Sequence, residues 1–447
     1  VIGIVLGLYI GIILLLNIPY VQHRMSVLVA QELSSVLGSR LTVGQINIGL
    51  LNRIIIDDLI LNDQSGKELL KIGRLSAKFE ILPLFNGKIS IGNVQLFSFN
   101  ANLERPTPQA ETNFQFILDA FASKDTVKKK SNLDLRINSL LIRRGRISYD
   151  VLSAGKTPGK FNPQHIRLSN ILANISLKAL QSDSINAAIK RMSVEEEHSG
   201  FELKKLSLKI VANNQNMRIE NFAIDLPNTS LAMDTIRMKY DSLGSLGNFA
   251  DDVRFSFRML PSEVVLQDLS AFVPAFKPFK EKLRLETEAD GTVNQLNCPK
   301  LLISADNHFL LKGDVSLQDL SHPQDAYIFG NLSNLYADPD GIAFFVRNLS
   351  KDYKGVPPAL QHLGTISFRG EISGYFTDLV TYGEVRTDIG TVKTDVKFSS
   401  DKEKGYFSYS GAVKTAEFEL GKLLANDKFG KVTFNMDVKG SHYAKRY

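Results

Sequence analysis

The sequence predicts a mainly β protein, and three observations carry that prediction. Short runs of alternating apolar and polar residues recur almost from end to end, Gly and Asn turns separate them, and helical spacing appears only in brief stretches. Successive strand residues point to opposite sides. Ile46 and Ile48, then Leu75, Ala77, Phe79 and Ile81, then Ile89 and Ile91 therefore each place apolar side chains on one face. The pattern returns at Leu133, Leu135 and Ile137, at Ile175 and Leu177, at Val253, Phe255, Phe257 and Met259, and at Val432, Phe434, Met436 and Val438. Each run reads as a strand greasy on one side and wet on the other.

At 447 residues the chain exceeds what one hydrophobic core organises, so either several domains or an elongated body is expected. With 44% hydrophobic and 22% charged residues it should fold. A net charge of +6 is a mild excess over this length. It implies solubility and some attraction to anionic surfaces, without implying nucleic acid. The single cysteine, Cys298, excludes an intramolecular disulfide and a multi-thiolate metal centre.

Residues 1–20 read as a transmembrane anchor. Val1 to Ile18 carries no charge, and at about 1.5 Å per residue a helix of this length roughly spans a bilayer core. Val1, Gly3, Gly7, Gly11, Leu16 and Ile18 belong to it; the glycines have the every-fourth spacing that lets membrane helices approach closely, and equally fit the general abundance of Gly in membrane helices. The rival is a cleaved signal peptide, but no small-x-small cleavage site follows the run. Because the chain opens inside this run, it reads as part of a longer protein, and the flank that would set orientation is missing.

Residues 21–38 are expected to form a juxtamembrane helix, since Ser26 to Leu37 has helical spacing and Gly38 suits its end. Residues 39–105 form the first sheet segment. Residues 106–131 hold a Pro-bearing loop, a short helix with Phe114, Ile117, Leu118 and Phe121 on one face, and a basic linker at Lys128, Lys129 and Lys130. From 132 to 447 the strands continue. Two helices should interrupt them: Ser262 to Phe272 with Ser262 as N-cap, and Asp340 to Ser350 after an Asp338-Pro339 turn. Gly291, Gly313, Gly330, Gly370 and Gly411 read as a loose echo, each opening a strand of a stacking repeat.

No catalytic constellation emerges, so neither an enzyme nor a cofactor or metal site is expected. Gly155-Lys156-Thr157 looks like the end of a phosphate loop, yet Asp150 stands where its first glycine belongs. Glu195, Glu196, Glu197 and His198 are consecutive, without the i, i+4 spacing that aims ligands at one ion, and read as a turn. Asp338 and Asp340 resemble a fragment of a calcium loop whose other ligands are absent, and capping is the expected role.

At Leu59-x-Leu61-x-Asp63 a longer phrase begins, continuing through Gly66-Lys67-Glu68-Leu69-Leu70-x-Ile72 and Pro83-Leu84-Phe85-x-Gly87-Lys88-Ile89-x-Ile91. With the anchor and helix ahead of it, this resembles the amino-terminal region of the TamB branch of the AsmA-like proteins of Gram-negative bacteria. The strings GTISFRGEISGYFTDLVTYGEVRTDIGTVKTDV and YSGAVKTAEFELGKLL are similar to the repeated middle of those proteins. The resemblance implies an inner-membrane anchor, a periplasmic body, and a long antiparallel sheet curled into an open groove lined by the one-faced residues named above. It also implies phospholipid movement towards the outer membrane, and partnership with an outer-membrane barrel of the TamA or BamA type through a region missing here. The alternative within the resemblance is an assembly factor that offers sheet edges to outer-membrane proteins by strand addition.

Overall fold

The alternating runs pair in chain order. The computed structural model describes residues 7, 10–11, 14–49, 52–79, 89–121, 133–134, 138–181, 184–322, 325–349, 355–401 and 406–443. Among the described residues its strands, the two-residue one at Leu133–Asp134 aside, form one long, mostly antiparallel sheet of 20 strands that does not close into a barrel. The chain divides into two compact units. The first is Val1–Lys209 with Ile224–Pro227 and Leu269–Pro274, and the second is Ile210–Ala223 with Asn228–Asp268 and Ala275–Tyr447.

The first unit holds β1 (Leu41–Gly49), β2 (Arg53–Asn62), β3 (Glu68–Phe79), β4 (Ile89–Arg105), the two-residue β5 (Leu133–Asp134), β6 (Ser139–Val151), β7 (His165–Gln181) and β8 (Ser184–Glu196). Pairing is antiparallel except that β5 and β6 both run parallel to β4. One apolar row crosses six strands: Ile46, Ile56, Leu75, Leu96, Ile142 and Ala173 are register partners in turn. Beyond it the alternation slips. Asp58, Ser98, Arg144 and Asn170 all adopt left-handed backbone at φ 51 to 56°, on β2, β4, β6 and β7 at one level of the sheet. Such residues cost about 1–3 kcal/mol each and bend the strands that carry them. Each leaves two successive residues on the outer face, so the apolar positions step by three: Ile56 to Leu59, Leu96 to Phe99, Leu168 to Ile171. Past the step, Leu59, Ile72, Phe99, Ile171, Val194, Leu203 and Leu226 form one buried cluster.

The helix before β1 runs Pro19–Leu37, seven residues longer than the apolar spacing suggests, because Pro19 is pre-organised for the first turn. Gly38 ends it at φ 63°. Polar side chains on the helix and just before it cap the outer edge of β1: the Leu41 amide donates to Ser34 Oγ at 2.9 Å, and Nδ2 of Asn17, in the turn ahead of the helix, donates to the Ile48 carbonyl at 2.8 Å. Leu37, Leu41, Leu61 and Leu69 bury together, with Phe114, Phe116 and Ile117 packed on them. Of the apolar face expected for the helix at Gln115–Phe121, Phe114 and Ile117 pack as their spacing suggests, and the correction concerns Leu118. Phe116 packs while Leu118 is 53% exposed, because the segment is two turns long and docks by its start. The side chain of Phe121 and the three linker lysines lie outside the described residues.

β9 (Phe201–Asn213) and β10 (Asn216–Asp225) have residues in both units. The second unit then holds β11 (Ser230–Lys239), β12 (Arg254–Val264), β13 (Leu283–Thr292), β14 (Gln295–Ala305), β15 (Phe309–Gln318), β16 (Tyr327–Ala337), β17 (Ile366–Tyr375), β18 (Asp378–Thr387), β19 (Gly390–Asp401), β20 (Tyr406–Glu419) and β21 (Lys431–Tyr443). From β11 to β21 each strand pairs antiparallel with the next. The helix expected over Ser262 to Phe272 does not form. β12 continues to Val264 and only a single 3₁₀ turn follows at Leu266–Leu269. Val264 and Val265 are β-branched and buried, which favours strand. Ser262 serves the strand and not a cap: its hydroxyl donates to the Leu260 carbonyl and accepts from the Ala232 amide.

The glycine echo is also corrected. Gly313, Gly330, Gly370 and Gly411 lie mid-strand and Gly291 near the end of β13, none of them opening a strand. Among the described residues no helix is long and apolar enough to cross a membrane. Gly7, Gly11 and Ile18 are exposed and Leu16 half-buried, while Val1 and Gly3 fall outside the description.

Candidate functional site

In the second unit one row of register partners crosses eleven strands: Met233, Met259, Thr287, Leu301, Gly313, Leu332, Gly370, Gly383, Thr394, Val413 and Met436. It contains no charge. One residue along, on the opposite face, Arg369, Glu384, Lys393 and Lys414 are partners across β17 to β20. Strand alternation thus sorts a neutral face from a charged one.

The neutral face is open over β16 to β21. A cavity of ≈ 850 Å³ lies on it, lined chiefly by Phe368, Ile372, Val385, Val396, Val413 and Val438, with Thr381, Thr387 and Thr394 offering the hydroxyls and Asp437 and Lys439 the charged groups. Phe398, Tyr409 and Met436 remain 36%, 40% and 46% exposed. Glycine shapes this face. A Cβ at Gly370 would fall 2.2 Å from the Tyr382 carbonyl oxygen, and one at Gly411 would fall 2.1 Å from that of Asp395. The backbones approach so closely there that a side chain has no room. The surface so formed is elongated across the strands and predominantly apolar, with its polar groups limited to the threonine hydroxyls, Tyr409, Asp437 and Lys439.

The sequence-predicted residues fall into three sets. Val432, Phe434, Met436 and Val438 share the neutral face of β21, partnered with Phe418, Thr415, Val413 and Gly411, and Val438 lines the cavity. Val253 and Met259 are buried, while Phe255 and Phe257 are half-buried and stack at 6.1 Å. In the first unit Ile46 is buried, and Ile48, Leu75, Ile175 and Leu177 are half-buried on the apolar side. Phe79 is the register partner of Ile91, and Ile89 of Leu133. Leu135 and Ile137 lie outside the described residues. Phe368, Val385, Val396 and Val413 were not singled out from sequence, although the alternation Val392, Thr394, Val396, Phe398 carries the signal.

Polar clusters elsewhere serve the frame. Glu196 is 2% exposed and accepts hydrogen bonds from the amides of Arg167, His198 and Ser199 and from the Ser199 hydroxyl. Burial raises its pKa, but these bonds outweigh it and hold the carboxyl below the ordinary value. The turn expected over the whole acidic run is thus corrected: Glu195 and Glu196 end β8, the turn begins at Glu197 and His198, and the buried Glu196 staples it. Asp338 accepts from the Gly341 amide at 2.9 Å and meets His308 Nδ1 at 2.7 Å, at the start of the Pro339–Leu349 helix. His308, Asp338 and Asp340 bring ligand atoms within 4.8 Å of one another. Asp340 is largely solvated and the helix start favours anions over cations, so the geometry is that of a cap.

The chain matches no protein-family model, no curated protein and no solved structure.

Proposed function

We propose that this protein carries the acyl chains of phospholipid along the neutral face of its sheet, as a membrane-anchored conduit between the inner and outer membranes of a Gram-negative cell. Residues 1–20 are its anchor and the periplasm its place. The single observation that supports this reading most is the open ≈ 850 Å³ apolar cavity on a face with no charge in its central row. Each methylene leaving a bilayer costs about 0.8 kcal/mol in water, and a covered trough removes most of that cost. The proposal includes the TamB-like resemblance and an outer-membrane barrel partner of TamA or BamA type.

The test is extraction of the purified, detergent-stripped protein. Phospholipid should co-purify with it, and Thr394→Asp, a charge on the cavity wall, should lose that lipid while retaining the β circular dichroism signal. Lipid-free wild-type protein would refute the reading. A second reading, strand addition to outer-membrane proteins, is favoured by β21, which among the described residues pairs on one side only. It predicts crosslinks from β21 to client strands and indifference to Thr394→Asp.

A further inference from the structure

On β6 the register slips by one residue between Ile142 and Gly145, with Arg144 at φ 56°. Ile142 and Gly145 both face the apolar side, the ring of Phe99 lying against Gly145. The two residues between them therefore both turn outward. Arg143, Arg144 and Arg146 are exposed together on a stretch that strict alternation would split between faces. β8 repeats the device. Asn174 and Ile175 of β7 partner Arg191 and Ile189, leaving Lys190 as the extra residue, and Lys190 and Arg191 are both exposed. One strand separates the two sets, about 10 Å at ordinary strand spacing.

None of these five cations has a carboxylate partner among the described residues. Surface cations nearby do: Lys67 pairs with Glu104 and Arg74 with Asp57. The closest acids in register are engaged elsewhere, Asp57 by Arg74 and Glu195 by Asn170. Asp57 and Asp58 share a polar hollow with Arg74 and Arg144, so the patch is not free of acid; with Asp57 taken by Arg74, five cations against Asp58 leave it strongly positive.

We infer that the bulged outer face of β6 and β8 is a docking surface for an anionic lipid bilayer. Five basic groups lie in the range of polybasic segments that bind acidic membranes. They spread over two strands without a pocket to enclose a single anion, which suits a plane of headgroups. The same unit carries Leu14, Leu15, Ile18 and Tyr20, large apolar side chains 47 to 68% exposed beside β1, which suit a bilayer and not an acidic protein. This inference does not depend on a lipid in the cavity.

The experiment is flotation of the full chain with vesicles of phosphatidylcholine alone or of phosphatidylcholine with phosphatidylglycerol. Wild-type protein should prefer the anionic vesicles and lose the preference in high salt. Substituting all five cations with Gln should reduce that preference at least about a hundredfold, while the all-Lys version, which keeps the charge, should retain it. An equal preference in the Gln variant overturns the proposal. So does a Gln variant that keeps its vesicle preference but loses binding to polyglutamate, which would assign the patch to an acidic protein. A misfolded Gln variant is recognised by circular dichroism, and then Arg144→Gln with Arg191→Gln, expected to lose about tenfold, decides in its place.

Discussion

The two units start from the same alternation and finish it differently. In the first, the apolar side closes into a cluster whose seven central members are each at most 9% exposed. Leu269 packs against it, and Phe272 meets Phe161 and Phe201 at 5.0 and 4.9 Å. In the second, the strands from β16 onward keep a cavity on that side, with Phe398, Tyr409 and Met436 more than a third exposed. Alternation therefore decides which residues share a face. Whether the face becomes a closed core or keeps an open cavity depends on what lies over it and on where glycine removes side chains.

That contrast can be broken most forcefully at glycine. Gly411→Ala should destabilise the protein by about 3 kcal/mol or more, because its Cβ meets neighbouring backbone. Gly330→Ala, with nothing nearer than 3.6 Å, should change stability by less than about 1 kcal/mol. Urea unfolding of the pair separates them, and equal effects would remove glycine as the shaping element. Next in size is truncation on the two apolar sides. Leu59→Ala in the closed cluster should cost about 3 kcal/mol, and Val413→Ala on the open wall about 1 kcal/mol, since a wall already facing a cavity leaves less new void.

The frame of the first unit has an acid-sensitive staple. Glu196 is held below its ordinary pKa, so its stabilisation is fully present above the unfolded glutamate value of about 4.3 and is lost as pH falls below it. Glu196→Gln should flatten that acid limb of the urea midpoint against pH, and an unchanged slope would place the sensitivity elsewhere. The smallest effect is expected at His308 in the second unit. Its pKa is raised, chiefly by the bond to Asp338, and Asp338→Asn should return its NMR titration to the ordinary histidine range. Any stability it adds is present below that range and fades as pH rises through the raised value.

Much of the fold was legible because β alternation is a local signal. Val432, Phe434, Met436 and Val438 share one face as their spacing requires. What the strict two-residue rule hid were the slips. Ile56 to Leu59, Leu96 to Phe99 and Met259 to Ser262 step by three, and a bulge was not part of that rule. The same oversight hid the cationic patch, since Arg143 and Arg144 share a face only because the strand bulges between Ile142 and Gly145. Ser262 to Phe272 misled for a tertiary reason: its helical spacing lost to pairing with β11 and β13. The glycine echo was visible, but only the paired backbones explain it.

The central claim is most directly tested by photo-crosslinkers placed in cells at Val413 and Lys414, consecutive residues on opposite faces of β20. The account predicts phospholipid adducts at Val413 and none at Lys414. Adducts at neither position, or equally at both, would contradict it.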